Sequence, residues 1–170
     1  MKLILYMAMT ANGYVAKPDG ETPWSKEEWN SYARIVKRFG NLIIGRRTYE
    51  LMKSDERLLK KIGNPFIVVL TRRHRKDERS VSYAKTPKAA VALLKKKGFK
   101  TALIGGGGVA NAAFMKAGLI YEIILDVEPL VFGRGVKLFA DDNFEAKLRL
   151  LGVKKLGQNL IQLHYRVSKP

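Results

Sequence analysis

The run Ile104-Gly105-Gly106-Gly107-Gly108-Val109-Ala110 decides the fold that we predict for this chain. It joins a short apolar stretch, residues 100–104, to a helical pattern over residues 109–117. Four successive glycines expose backbone N–H groups beside a helix N-terminus, where both the donors and the helix dipole favour an anion. We therefore expect a strand, a turn and a helix that together bind phosphate. The alternative is a tight turn that needs glycine for steric reasons alone.

The same alternation of strand and helix patterns runs through the first two thirds of the chain. Strands are predicted at residues 2–9, 41–44, 65–70, 80–84, 100–104 and 119–128, and helices at residues 26–39, 46–53, 87–97 and 109–117. Two later runs, residues 146–152 and 160–167, alternate apolar and polar residues as antiparallel strands do. We expect one α/β domain over residues 1–170, with a mostly parallel sheet, flanking helices and antiparallel C-terminal strands.

The start of the first predicted helix is well marked. Ser25 is a typical N-cap, and Glu28 three residues later completes a capping box. The side of this helix that faces the core is expected to carry Trp29, Tyr32, Ala33 and Val36. Before it, residues 10–23 are rich in turn-forming residues and predict a long loop, and long ordered loops are often functional.

Composition excludes several classes of protein. The chain has 170 residues, 46% of them hydrophobic and 28% charged, which are ordinary globular values. It has no cysteine, so disulfides, thiolate metal sites and cysteine nucleophiles are excluded. The two histidines, His74 and His164, show no metal-ligand spacing, and we expect no metal. No apolar run approaches the roughly 18 residues of a transmembrane helix, and the N-terminus has no signal-peptide pattern. We expect a cytoplasmic protein.

The charge favours anionic partners. Lys and Arg number 32 and Asp and Glu 15, which gives a net charge of +17. Such an excess suits nucleic acid or phosphorylated small molecules. We find no helix-turn-helix, RNA-recognition aromatic pair or zinc module, so specific nucleic-acid binding is not expected. A basic nucleic-acid-binding protein stays the alternative from another class.

Cationic residues follow two other predicted strands. These segments are Gly45-Arg46-Arg47-Thr48 and Thr71-Arg72-Arg73. Ligands of open α/β sheets gather at the carboxyl ends of the strands, and three such ends would suit a ligand with several phosphates. The planar fork of Arg suits a terminal phosphate, such as the 2′-phosphate of NADP. The spacing of the glycine run also satisfies the dinucleotide fingerprint, with Asp126 about 20 residues on, but that motif usually lies near the N-terminus.

Few residues are candidates for proton transfer or substrate contact. Neither His has a motif around it, and we expect both to be structural or surface residues. Glu28 begins the first helix, where its alternative role is the capping box. Asn12 could orient a substrate through its amide or simply make a turn with Gly13. Trp24 could offer a surface on which a ring stacks.

Taken in order, these stretches resemble the dihydrofolate reductase superfamily, and most of all the C-terminal reductase domain of the riboflavin-biosynthesis deaminase-reductase and its stand-alone relatives. The resemblance covers nearly the whole chain. Its pieces are residues 8–16, 41–50, 67–72, 104–107, 113–124 and 129–139. The last piece, with the pattern Pro-x-x-x-Gly-x-Gly-x-x-Leu-Phe, favours the riboflavin-type branch over true folate reductases.

The resemblance implies a dihydrofolate reductase-like three-layer fold with a mixed sheet of eight to nine strands, NADPH as hydride donor, and often a homodimer. The nicotinamide would lie near Ala8, and the substrate would be a phosphorylated or heterocyclic small molecule. In the riboflavin pathway, hydride goes to C1′ of a ribosylaminopyrimidine. Cofactor contacts are expected from Gly45, Arg46, Arg47, Thr48, Thr71, Arg72, Arg73, Gly105, Gly106, Gly107, Gly108 and Val109. Substrate contacts are expected from Thr10, Trp24 and Tyr32, with Asn12 and Glu28 as catalytic residues.

The chain departs from the family pattern in three places. The acid that protonates the pterin in folate reductases corresponds to Trp29, and Glu28 beside it is expected to face elsewhere. The Asp usual before the loop glycine is Asn12, which cannot supply a proton at neutral pH. The segment after Thr48 lacks the Asp-Asp-Pro-x-Leu-like stretch of the bifunctional enzymes. We therefore keep a dihydrofolate or pterin reductase as an alternative, and the substrate can differ from the riboflavin intermediate.

Overall fold

A computed structural model describes residues 1–73 and 75–168, so His74 lies outside the described residues. The strands that it contains are β1 (Lys2–Thr10), β2 (Tyr14–Ala16), β3 (Asn41–Gly45), β4 (Phe66–Leu70), β5 (Val81–Ala84), β6 (Thr101–Ile104), β7 (Glu122–Glu128), β8 (Val136–Lys137), β9 (Leu148–Lys155) and β10 (Ile161–Val167). The helices are α1 (Lys26–Phe39), α2 (Arg46–Lys53), α3 (Glu56–Lys61), α4 (Pro87–Lys96) and α5 (Gly108–Lys116).

One large sheet contains eight of these strands, in the order β5-β4-β3-β6-β1-β7-β10-β9. Pairing is parallel from β5 to β7, whereas β10 runs antiparallel to both β7 and β9. Apolar clusters cover both faces of the sheet, one around Leu5 and Phe114 and the other around Tyr6 and Val36. The predicted three-layer fold, with a mostly parallel sheet and antiparallel C-terminal strands, is confirmed.

Burial on both faces explains the apolar strands that were visible in the sequence. Because helices pack on either side of a parallel sheet, side chains that point either way leave water. Residues 42–44 in β3 and 67–69 in β4 are accordingly buried without alternation. The short strand β5 lies at one edge of the sheet, and β9 forms the other edge.

Several predicted boundaries were wrong. The predicted loop over residues 10–23 contains β2, which pairs antiparallel with β8 to form a second, two-stranded sheet. Helix α3 was not predicted; Asp55 caps it by accepting a 2.9 Å hydrogen bond from Leu58 N. Residues 119–121 precede β7 instead of starting it, since Leu119 N still donates to Phe114 O at the end of α5. Strand β9 continues to Lys155 and contains a register shift.

Helix α1 has the predicted bounds, and its predicted core side is confirmed at Ala33 and Val36 but not at Trp29. Ser25 Oγ accepts a hydrogen bond from Glu28 N at 3.2 Å, and Gly40 ends the helix in the left-handed conformation. The capping box does not form, because the side chain of Glu28 turns inward and is only 1% exposed. Trp29, expected in the core, is partly exposed. The helix turns a polar side toward the sheet because the sheet presents polar groups there, as described below.

No helix of the described residues has the length and apolar character needed to cross a membrane.

Candidate active site

The three segments predicted to bind phosphate lie together at the carboxyl ends of parallel strands. Strand β3 lies between β4 and β6, with Gly45 opposite Leu70 and Ile43 opposite Ile104. The segments that follow the carboxyl ends of these three strands therefore lie side by side. Gly45 N donates to Gly106 O at 2.7 Å, which joins the start of α2 directly to the glycine run. We call this group of segments, residues 45–48, 71–73 and 105–109, the cradle.

Two helices begin in the cradle without a side-chain cap. Helix α2 starts after Gly45 and helix α5 after Gly107, and neither glycine can offer a capping oxygen. Neither helix has an acidic residue in its first turn. The other three helices are each capped by a side chain, those of Ser25, Asp55 and Thr86. The first N–H groups of α2 and α5 thus lack a side-chain acceptor, which is the arrangement that binds phosphate elsewhere.

Glycine is needed within the cradle because the backbone turns there and the neighbours are close. Gly106 has a φ of +93°, which other residues rarely adopt, and the peptide between Gly106 and Gly107 is cis. A Cβ on Gly106 would approach the side chain of Met7 to 2.9 Å, and one on Gly107 would lie 3.3 Å from Thr48 Oγ1. A bulkier residue would displace these neighbours, so the bare backbone faces the cradle.

Cations surround the outer part of the cradle. Arg46 is partly exposed, while Arg47, Arg72 and Arg73 are exposed. Thr71 is buried, and its hydroxyl accepts a 3.2 Å hydrogen bond from Arg73 N. A cavity of about 350 Å³ opens beside these residues, lined by Arg46, Tyr49, Glu50, Lys53, Thr71, Arg75, Lys76, Asp77, Glu78 and Tyr83.

Buried acids lie beside Ala8, the residue predicted to contact the nicotinamide. In the parallel register of β1 and β7, Ala8 is opposite Asp126 and Thr10 is opposite Glu128. Asp126 is fully buried, accepts a hydrogen bond from the hydroxyl of Tyr6, and accepts another from Gln162 Nε2 at 2.7 Å. Burial raises the pKa of Asp126 above its ordinary value.

Glu28 of α1 completes this group, which we call the acid pocket (Glu28, Asp126 and Glu128). Burial is the main cause that raises the pKa of Glu28 to about 8, and the charges of Asp126 and Glu128 raise it further. Glu28 Oε2 is buried and has no hydrogen-bond partner among the described residues. Glu128 accepts from both Ser25 N, at 2.8 Å, and Ser25 Oγ, at 2.7 Å. Glu28 therefore carries a proton at neutral pH, and Glu128 takes the place of the predicted capping box.

Aromatic rings line the region around the acid pocket. Tyr32 stacks on Tyr6 with ring centroids 5.9 Å apart. Burial raises the pKa of the Tyr32 hydroxyl, and the nearby carboxyl of Glu28 raises it further. Trp24 stacks on Phe132 with centroids 6.3 Å apart and planes only 9° from parallel. Tyr32 and Trp24 are partly exposed, so each has an apolar ring face that suits a planar heterocycle.

The side chain of Asn12 is fully engaged by its neighbours. Asn12 Nδ2 donates to Phe132 O at 2.7 Å, and Asn12 Oδ1 accepts from Phe132 N at 3.2 Å and from Thr10 Oγ1 at 2.8 Å. These bonds fix Phe132 beneath Trp24. The geometry gives Asn12 a positioning role in the loop.

The sequence profile of the RibD C-terminal domain matches residues 1–162 of the chain. This protein belongs to the RibD C-terminal domain family. A relative in Bacillus subtilis, the uncharacterized protein YwjB, is 33% identical over 96% of this chain and 97% of its own length. Dihydrofolate reductase 1 of Haloarcula marismortui is 31% identical, over 66% of this chain and 57% of its own length.

Solved structures of similar proteins share the fold. A putative riboflavin biosynthesis protein from Shewanella sp. PV-4 superposes with a TM-score of 0.78 at 21% identity, covering 99% of this chain and 100% of that one. The diaminohydroxyphosphoribosylaminopyrimidine deaminase/5-amino-6-(5-phosphoribosylamino)uracil reductase of Thermotoga maritima superposes with a TM-score of 0.74 at 14% identity, covering 98% of this chain and 56% of that one. The predicted resemblance to the RibD reductase domain is confirmed.

Within this RibD-type domain, the expected substrate residues Thr10 and Tyr32 lie with the acid pocket. His164 lies elsewhere: its Nε2 is 2.9 Å from Glu122 Oε2 at the start of β7. Asp126 was considered from the sequence only as the acid that follows a dinucleotide fingerprint, whereas it is buried and bonded to Tyr6 and Gln162, and Glu128 was not considered at all. Their signal was present, since the three acids of β7, Glu122, Asp126 and Glu128, are all an even number of positions apart and therefore lie on one face of a strand whose other residues are apolar.

The acid pocket predicts a pH-dependent stability. Between the ordinary pKa of 4.5 and about 8, the folded state keeps a proton on Glu28 that the unfolded chain releases, so stability falls as pH rises through this range. Glu28→Gln removes this loss. Relative to the wild type, its free energy of unfolding should increase with pH by about 1.4 kcal/mol per unit, reaching a plateau above about pH 8.

Denaturant titrations at a series of pH values would measure this difference. Glu27→Gln, which changes an exposed acid of the same helix, is the matched control and should show no such trend. A difference between Glu28→Gln and wild type that stays constant with pH would contradict the proposed proton on Glu28.

Proposed function

We propose that this protein is an NADPH-dependent reductase that transfers hydride to a carbonyl or imine carbon of a nitrogen heterocycle. The riboflavin-type reaction, at C1′ of a ribosylaminopyrimidine, is the first candidate. The observation that carries the proposal is that the cradle, at the carboxyl ends of β3, β4 and β6, and the acid pocket, toward the carboxyl end of β7, lie at the same end of the parallel strands, with only β1 between β6 and β7. Membership in the RibD C-terminal domain family, and a fold shared with a protein named as a uracil reductase, support it.

The residues of the cradle fit a nicotinamide dinucleotide. Its pyrophosphate would be held by the N–H groups that begin α2 and α5, which have no side-chain cap. A 2′-phosphate would be held by arginines such as Arg46, Arg72 and Arg73, whose forks bind phosphate in bidentate fashion. Bound NADPH supplies the hydride.

A residue of the chain itself would donate the proton that the reduction requires. Reduction of a C=O or C=N bond adds hydride to carbon and a proton to the oxygen or nitrogen. Glu28 is a protonated carboxyl with an unpaired oxygen, so it can donate that proton as a general acid. Ala8, opposite Asp126 in the register of β1 and β7, has a small side chain, which would let a nicotinamide ring lie close to β1. Tyr32 and Trp24 would hold the heterocycle, and Asn12 would hold the loop that carries Phe132.

A dihydrofolate or pterin reductase is the second candidate. The inward orientation of Glu28 favours it, because the sequence had left the pterin-protonating position to Trp29 and the structure provides an acid one residue away. The similarity to dihydrofolate reductase 1 of Haloarcula marismortui also supports it. Oxidation of NADPH with the ribosylaminopyrimidine phosphate, dihydrofolate and simple pterins in parallel separates the two candidates.

Binding of NADPH tests the cradle. Arg72→Ala should raise the Kd for NADPH about tenfold, because a charge-assisted hydrogen bond to phosphate contributes about 1.5 kcal/mol, and it should change the Kd for NADH much less. Fluorescence titration measures both constants. Arg57→Ala, an exposed arginine on α3, is the control and should bind like the wild type. Failure of the wild type to bind NADPH saturably would refute the proposal.

Turnover tests the role of Glu28. Glu28→Gln should lower kcat about 100-fold or more, because general acid catalysis contributes at least that factor, while the Kd for NADPH stays nearly constant. The wild-type rate should fall above about pH 8, where Glu28 loses its proton. Glu27→Gln is again the control. Undiminished kcat in Glu28→Gln would assign the proton to water.

We also propose that the chain forms a homodimer through β9. Every residue of this edge strand is exposed, including Leu148, Leu150 and Val153, of which Leu150 is 53% exposed. A long apolar edge strand is a ready template for pairing with another chain. A second copy related by a two-fold axis would cover it and pair its free backbone groups.

Light scattering after size exclusion tests the dimer. The wild type should have twice the monomer mass, and Leu150→Lys should shift it to the monomer because it buries a charge in the proposed interface. Leu51→Lys, which changes a similarly exposed leucine on α2, should leave the mass unchanged. A wild type that is monomeric at high protein concentration would rule out this interface.

A further inference from the structure

Arg46, one of the arginines proposed above to hold a 2′-phosphate, is paired with Glu50 of the same helix. Arg46 Nη1 is 2.8 Å from Glu50 Oε1 and 2.7 Å from Glu50 Oε2. Both residues line the cavity of about 350 Å³ beside Thr71 of the cradle. The carboxylate therefore occupies the guanidinium that would otherwise be available to a phosphate.

Other cations share this cavity with Glu50. Lys53, Arg75 and Lys76 line the cavity with it. The hydrogen bonds from Arg46 are the main cause that lowers the pKa of Glu50, and the charges of Arg73 and Arg75 contribute. Glu50 is thus an acid bonded to Arg46 and influenced by the charges of Arg73 and Arg75.

The two other acids of the cavity have different partners. Asp77 accepts hydrogen bonds from Ser82 Oγ, at 2.9 Å, and from Tyr83 N, at 3.1 Å. Glu78 accepts from the hydroxyl of Tyr83 at 3.3 Å. Both are tied to strand β5. Among the acids that line this cavity, Glu50 is therefore the one bonded to a cradle arginine.

We propose that Glu50 determines the specificity of this site for the ribose of the cofactor, as an internal counter-ion that a 2′-phosphate must displace from Arg46 and that a 2′-hydroxyl can hydrogen-bond. This inference rests on the proposed function. A carboxylate and a phosphate repel each other when they compete for the same cations. An acid at such a position serves a ribose hydroxyl, whereas an arginine serves a 2′-phosphate. The Arg46–Glu50 pair contains both an arginine and an acid. Glu50 therefore reduces the preference for a 2′-phosphate that Arg46 creates.

The exposure of the Arg46–Glu50 pair determines how strongly Glu50 should weaken the binding of a 2′-phosphate. The side chain of Glu50 is 47% exposed, and that of Arg46 is 36% exposed. Ion pairs at such exposure are weakened by solvent and by salt. Removal of the carboxylate should therefore tighten binding of a 2′-phosphate about two- to fivefold, and the gain should shrink at high salt.

Titrations with two nucleotides test the inference without any turnover. Glu50→Gln and the wild type would each be titrated with adenosine 2′,5′-bisphosphate and with adenosine 5′-monophosphate, which lacks the 2′-phosphate. The variant should bind the bisphosphate about two- to fivefold more tightly and bind the monophosphate equally or more weakly. The matched control is Glu21→Gln, which removes the exposed acid of another i,i+4 pair, Lys17–Glu21, and should change neither constant.

The outcomes separate this inference from the proposed function. If the wild type binds the bisphosphate but Glu50→Gln binds it no more tightly, the role of Glu50 is refuted while the cofactor site stands. If both nucleotides tighten equally, Glu50 acts only through general charge and its role in specificity is refuted. If neither nucleotide binds either protein, the cradle itself is refuted, and the inference with it.

Discussion

The hydrogen bond from Gly45 N to Gly106 O, 2.7 Å long, fixes the arrangement on which the candidate site depends. It joins the end of β3 to the turn after β6, and the parallel pairing of β3 with β4 adds the third strand end beside them. Two helices then start next to each other with free N–H groups. If β3 moved by one residue in the sheet, its side chains would change faces and the glycine turn would no longer meet the start of α2.

The acid pocket imposes a second constraint, which is a cost in stability. A chain with a net charge of +17 nevertheless buries Glu28, Asp126 and Glu128 close to one another, and Glu28 Oε2 has no partner among the described residues. Buried acids are unfavourable unless they are bonded or protonated. Here Asp126 and Glu128 are bonded, and Glu28 is protonated. Local conflict of this kind is common where function, and not folding, determines the residue.

Much of the fold could be predicted because its signals are local. The bounds of α1 follow from Ser25 before it and Gly40 after it, and the cradle follows from the rule that ligands gather at the carboxyl ends of parallel strands. The apolar residues of α1 predicted the burial of Ala33 and Val36, but they could not predict that Glu28 also turns inward, toward Tyr6 and Asp126. Tyr6 lies on β1 and Asp126 on β7, and Gln162, which donates a hydrogen bond to Asp126, lies on β10. Strands β2 and β8 are likewise far apart in sequence, and both are too short to show a periodic pattern of apolar residues.

Hydrogen exchange of the backbone amides, measured with and without NADPH, tests the central claim most directly. If the cradle is one site, the cofactor should slow exchange together in residues 45–48, 71–73 and 105–109, while β9 exchanges as before. Protection of only one of these segments, or of none, would contradict the claim that three strand ends form a single phosphate-binding site.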